Sequence, residues 1–126
     1  MDNSTAIRVF EALSSAVRLE VFRLLVKHEP SGLVAGEIAQ ALGIQPTNLS
    51  FHLKALSHAG LLRASQEGRF LRYHAQVTVA HELVDYLTAE CCQGNPAACT
   101  AQATEAPARG RETPGGKPAA RRRSAR

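Results

Sequence analysis

VAGEIAQALGIQPTNLSFHLKALSH, residues Val34 to His58, decides the fold. Ile38, Ala39 and Leu42 recur at helical spacing, and Gly43 stands where a helix closes in a left-handed turn through Ile44 and Gln45. Pro46 suits the first turn of a following helix, where its missing N–H costs nothing. Leu49, Leu53 and Leu56 mark that helix's inner face, and Ala59-Gly60 stops it. Two helices joined by a tight glycine turn, the second polar on its outer side, make a helix-turn-helix.

Upstream, residues 5–13 place Ile7, Phe10 and Leu13 on one stripe and predict a short helix. Ser14 or Ser15 caps a second helix, Ala16 to His28, with Val17, Val21, Leu24 and Leu25 inward and Arg23 and Lys27 outward. Pro30-Ser-Gly32 ends it. Downstream, Leu61–Ser65 and Arg69–His74 flank a turn at Gln66-Glu-Gly68 and predict a β-hairpin. A last helix, about Thr78 to Glu90, carries Leu83, Val84 and Leu87 on an apolar face. The fold class is mostly α with a small β-hairpin (α+β), a winged helix-turn-helix spanning 1–90. Residues 91–99 follow as a thiol-bearing segment. From 100 to 126, Ala, Pro, Gly, Thr and Arg without apolar periodicity predict a disordered basic tail.

The net charge of +4 divides unevenly. Residues 45–74 carry +3 from Lys54, Arg63, Arg69 and Arg72 against Glu67, between flanks of −1 (1–44) and −3 (75–99), and the tail carries +5. A local positive patch on a near-neutral body suits nucleic acid. No apolar run approaches the ~20 residues of a membrane span. The start has neither a basic n-region nor an apolar core, so a cytoplasmic location is expected. In that reducing setting, metal or redox chemistry outweighs disulfides for three cysteines.

A helix-turn-helix sets the first half of its second helix in the major groove of double-stranded DNA. The expected DNA-binding residues are Gln45, Thr47, Asn48, Ser50, Phe51 and Lys54, with His58 further along and Arg69 and Arg72 on the wing. Asn pairs bidentately with adenine, while Thr, Ser and Phe meet base edges or thymine methyls. Lys54, Arg69 and Arg72 read as phosphate contacts. The competing reading is a merely solvated polar face; spacing, hairpin and local charge together weigh against it. His52 lies beside Leu49 and Leu53 and reads as a structural histidine, and Tyr73 as core.

Leu13–Leu19, Ala35–Gly43, Leu49–Leu56, Ala59–Leu62 and Glu67–Tyr73 together resemble the ArsR/SmtB family of metal-responsive bacterial repressors over about residues 5–90. The resemblance implies a homodimer joined through the first and last helices, a two-fold operator, and release when an effector binds. Some arsenic and cadmium sensors of that family carry Cys-x-Cys in the third helix; Leu33–Glu37 has no thiol. Zinc and nickel sensors use Asp and His ligands along the last helix, which here offers His81, Glu82 and Asp85 without long-spaced His partners. What remains is Cys91, Cys92 and Cys99, similar to the arsenic-responsive subgroup with a C-terminal Cys-Cys…Cys cluster.

Ligand chemistry agrees. Soft thiolates select thiophilic centres, and trivalent arsenic or antimony takes three sulfurs in a pyramid. Adjacent cysteines reach one centre only from an irregular backbone, which Gly94 and Pro96 favour. The expected effector is arsenite, antimonite or methylarsenite, bound at Cys91, Cys92 and Cys99. Zinc or cadmium is the alternative, zinc needing His74 or His81 as a fourth ligand. A thiol redox switch is another, though Glu90 and Asp85 are poor neighbours for a depressed thiol pKa. No glycine-rich or basic loop surrounds Cys91, so no enzymatic role and no catalytic cofactor are expected.

Overall fold

Asp2 opens the first helix: its Oδ1 accepts the Thr5 backbone N–H at 2.8 Å. Hydrogen bonds from Thr5, side chain before backbone, hold the Asp2 carboxyl below its ordinary pKa. The helix, α1, therefore covers Asn3–Leu13, starting earlier than apolar spacing suggested. The structure is a computed structural model that describes residues 1–94 and 97. Cys99 and the tail from 100 to 126 lie outside the described residues.

α1 corrects one expectation. Its buried stripe is Ala6, Val9 and Ala12, whereas Ile7 and Phe10 are 49% and 46% exposed and Leu13 is half-buried. Small side chains let the helix lie close against its own core, and the large ones face away from it. The neighbouring stripe is one residue round the helix, about 100° away. Periodicity alone could not choose between the two.

Ser15 caps α2 (Ala16–Lys27), its Oγ accepting the Arg18 N–H at 3.4 Å. Val21, Phe22 and Leu25 are its buried residues; Phe22 had not been placed inward. Arg18 reaches back to the end of α1, donating from Nε to the Ala12 carbonyl at 2.6 Å and from Nη2 to the Glu11 carbonyl at 3.3 Å. It thereby satisfies carbonyls that a helix end leaves open.

Next come β1 (Leu33–Val34), α3 (Ala35–Leu42) and α4 (Pro46–His58). Then follow β2 (Leu62–Glu67), β3 (Phe70–Ala75) and α5 (Val77–Leu87). Gly43 closes α3 at φ 65°, ψ 37°, and the Ile44 N–H donates to the Ala39 carbonyl at 3.0 Å. The hairpin is one pair in a three-stranded antiparallel sheet ordered β1-β3-β2. β1, joined through Leu33↔Tyr73 and Val34↔Arg72, is too short to show an alternating pattern, so the sequence did not predict it. Gly32 makes the approach possible. Its φ is +71°, and a Cβ there would lie 2.6 Å from the Tyr73 carbonyl oxygen and 2.7 Å from His74 Cε1.

Leu25, Ile38, Leu49, Leu56 and Leu61 are fully buried at the centre, each worth about 1.5–3 kcal/mol over exposure. Leu53 joins them, as the inner-face reading of α4 expected. α5 stops at Leu87, short of Glu90; Leu83 is buried, but Val84 and Leu87 are 56% and 58% exposed. Packing rather than propensity sustains most short helices, and here it comes from Leu83 and from Val77, Val79, Ala80 and Tyr86 at the edge of the core. The chain divides at this point into one unit of Met1–Leu87 and another from Thr88 onward. Among the described residues, no helix is long and apolar enough to cross a membrane.

Candidate DNA-binding surface and thiol segment

With Leu49, Leu53 and Leu56 turned inward, α4 presents Thr47, Asn48, Ser50, Phe51 and Lys54 on its exposed side. Gln45 precedes the helix in an extended conformation and makes no side-chain cap bond, so its amide is available to a ligand. Phe51 is 75% exposed, a large apolar surface to leave in water. Ser50 Oγ donates to the Pro46 carbonyl at 3.1 Å and so faces outward chiefly as an acceptor. His58 is exposed but sits at the far end of α4, roughly 16 Å along the axis from Thr47 at 1.5 Å per residue. It lies outside the half of the helix that enters a groove.

His52 is half-buried, with Nδ1 3.5 Å from Arg18 Nη1, which ties α4 to α2. Tyr73 packs on the core as a half-buried residue. Arg69 is exposed at the turn of the hairpin.

Arg72, an expected phosphate contact, also makes contacts within the protein. Its Nε lies 3.0 Å from Glu67 Oε2, and its Nη1 donates to the Gly32 carbonyl at 3.1 Å and lies 3.9 Å from Glu37 Oε1. This guanidinium links the wing to the segment before β1 and to α3. Glu37 Oε1 also accepts the Val34 N–H at 2.9 Å, fixing the start of α3. On sequence alone His74 is a candidate fourth zinc ligand. It is buried instead, with Nδ1 3.4 Å from Glu29 Oε2, whose carboxylate accepts the Ala75 N–H at 3.0 Å.

Sequence reading missed Arg18, Gly32 and Glu37. Only Glu37 left a signal, as an acidic residue in the first turn of a helix. The other two act through contacts distant in sequence.

The thiol segment is a 3-10 turn, Cys91–Gly94, begun by the Cys91 N–H donating to the Thr88 carbonyl at 2.9 Å. Cys92 and Gln93 both occupy the left-handed region, at φ 54° and 58°. Side chains there are uncommon and strained. The result is that Cys91 Sγ and Cys92 Sγ lie 3.5 Å apart, both as free thiols, with Cys92 exposed and Cys91 half-buried. Thiolates held at ~2.3 Å from one centre and separated by about 90–110° lie ~3.3–3.8 Å apart, a range that includes this separation. Among the described residues, no three His, Cys, Asp or Glu side chains are grouped to hold a metal; His81, Glu82 and Asp85 of α5 are exposed and not gathered.

A helix-turn-helix domain model matches residues 13–64. The crystal structure of a possible transcriptional regulatory protein from Mycobacterium bovis (fragment 1–100) is 30% identical. The match covers 68% of this chain and 89% of that one, with a TM-score of 0.56. The solution structure of the same M. bovis fragment is described as a homodimeric winged helix-turn-helix DNA-binding domain of a possible ArsR-family regulator. The chain belongs to the ArsR family. That solution structure is 29% identical over 73% of this chain and 85% of that one, with a TM-score of 0.56. The transcriptional repressor BigR from Xylella fastidiosa is 28% identical over 68% and 85%, with a TM-score of 0.53. No curated protein matches the sequence. As an ArsR-family member the chain is a transcriptional regulator built on a DNA-binding winged helix-turn-helix, and its relatives are not enzymes.

Proposed function

We propose that this ArsR-family regulator is a homodimeric repressor that releases its operator when trivalent arsenic or antimony is bound by Cys91, Cys92 and Cys99. The observation that carries the effector reading is the 3.5 Å separation of Cys91 Sγ and Cys92 Sγ on a left-handed backbone. Soft sulfur donors favour thiophilic centres over hard ions, and three thiols complete a pyramidal centre without a fourth ligand. Burial of His74 against Glu29 weakens the zinc alternative.

The dimer reading rests on the exposed apolar side chains of two helices, Ile7 and Phe10 on α1 and Leu87 on α5. Tyr86 Oη, 3.2 Å from Asn3 Oδ1, links these helices. Apolar surface of that kind calls for a partner, and the M. bovis fragment is described as homodimeric. An operator with two-fold symmetry follows from such an assembly. The cysteines follow α5 directly in sequence, so an ion that reorders Cys91–Cys99 acts next to the dimer helix. Operator release requires the ion to favour the non-binding arrangement, by a coupling of about 1–3 kcal/mol.

Arsenic-edge X-ray absorption on reduced, arsenite-loaded protein tests the ligand set. Three sulfur neighbours are expected, falling to two with oxygen in Cys99→Ser. An oxygen-only shell would overturn the assignment. Sedimentation of the free protein should give a dimer, with Phe10→Glu shifted toward monomer.

A further inference from the structure

A groove of about 660 Å³ lies between α2, the end of α3 and the start of α5. Its apolar walls include Phe22 and Val26 of α2, Leu42 of α3, and Val77 and Ala80 in the first turn of α5. Val26 is 38% exposed there, on a helix whose other large apolar side chains mostly meet the core. The volume falls within the range of about 300–1,000 Å³ usual for small-ligand sites. One edge is charged. Glu20, Arg23 and Lys27 stand at i, i+3 and i+7, on one stripe of α2, and all three are exposed. Among the described residues, none of them has an ion-pair or side-chain hydrogen-bond partner.

An apolar groove edged by two cations and one acid complements a molecule with an apolar body and a single negative charge. A carboxylate suits the planar fork of Arg23, with Lys27 one turn on as a second positive charge. An alkyl body covers Phe22, Val26, Leu42, Val77 and Ala80 and takes them out of water. Glu20 opposes a second negative charge, which favours a monoanion over a dianion. The groove also joins elements that matter to DNA binding. Leu42 is the last residue of α3, next to the Gly43 turn. Val77 and Ala80 share a side of α5 with Leu87, at i, i+3 and i+10, and Leu87 belongs to the proposed dimer face. All the lining residues lie within Met1–Leu87, apart from the thiol segment.

We propose that this groove binds an amphipathic monocarboxylate, an alkyl chain of medium length with its carboxylate on Arg23 and Lys27, and serves as a second effector site independent of the thiols. Its effect on the operator rests on the DNA-binding repressor reading above; the binding itself does not. A ligand between α2 and the start of α5 changes operator affinity to the extent that it prefers one arrangement of these helices over the other.

The test is calorimetric titration of the reduced, full-length protein with hexanoate, octanoate and decanoate. Binding should saturate at a single site per chain and tighten by about 4–15-fold for every two carbons added. Acetate and decyltrimethylammonium should not bind. The double variant Arg23→Gln with Lys27→Gln should weaken decanoate by about tenfold, and Val26→Glu should weaken it further. These positions are exposed, so the variants fold; unchanged thermal unfolding verifies this. Absence of saturable decanoate binding, equal binding of decyltrimethylammonium, or a double variant that binds like wild type overturns the site. A dimer that Val26→Glu turns into monomer in sedimentation would show a second copy in the groove and overturn it too. On DNA from upstream of its own coding sequence, decanoate should shift affinity by about 5–150-fold, in wild type and Cys91→Ser alike and not in the double variant. Decanoate bound with operator affinity unchanged defeats the effector role. Absence of any DNA complex would instead defeat the DNA-binding reading, with the groove still judged by calorimetry.

Discussion

The helix-turn-helix and the thiol segment are held in place by opposite means. α3 and α4 are positioned by side chains they bury, Ile38, Ala39, Leu49, Leu53 and Leu56, by the caps at Val34 and Gly43 and by Pro46 in the first turn of α4. Their outward residues are therefore presented on a frame that does not depend on DNA. Cys91–Gly94 buries none of its residues, and its geometry comes from two side-chain-bearing positions in left-handed backbone. The first region is preorganised for a rigid ligand; the second is cheap to rearrange. The proposed effector gating needs both kinds, because an effector can shift an equilibrium only where two arrangements lie close in energy.

That contrast breaks most visibly in the core. Leu56→Ala should cost about 2–5 kcal/mol, seen as a lowered denaturation midpoint, since Leu56 is fully buried. Gly32→Ala should cost about 1–3 kcal/mol from strain and from the contacts its Cβ would make with Tyr73 and His74. Asn48→Ala should leave unfolding unchanged within about 0.5 kcal/mol, as an exposed substitution does. Its operator binding should weaken by about 1–3 kcal/mol with relaxed preference at one base pair. The smallest effect is at Asp2. Its lowered carboxyl pKa means the cap is present above the ordinary Asp value and is lost as pH falls through the depressed one. Faster hydrogen exchange at the Thr5 amide in acid, with global stability little changed, would show it.

Much of the helix-turn-helix was legible because each local signal agreed with the others. Pro46 and Gly43 mark helix ends by backbone chemistry, and the Leu49-Leu53-Leu56 spacing fixes the inner face of α4. α1 was harder. Two apolar stripes lie side by side, and only the packing shows that Ala6, Val9 and Ala12 meet the core while Ile7 and Phe10 do not. β1 could not be read from two residues, nor could the contacts of Arg72 with Glu67, Glu37 and Gly32 be read from spacing. For the thiols, the sequence offers three candidate donors and the need for irregular backbone; the left-handed pair Cys92-Gln93 supplies that irregularity at the first two, and Cys99 lies outside the described residues.

Fluorescence anisotropy of the reduced protein on DNA from upstream of its own gene, titrated in parallel with arsenite, antimonite and zinc, tests the central claim most directly. Arsenite or antimonite should weaken binding by about 5–150-fold, and Cys91→Ser and Cys92→Ser should bind the same DNA as tightly as wild type without being released. Tight binding indifferent to all three ions, or cysteine variants that no longer bind DNA, would contradict a thiolate-gated repressor.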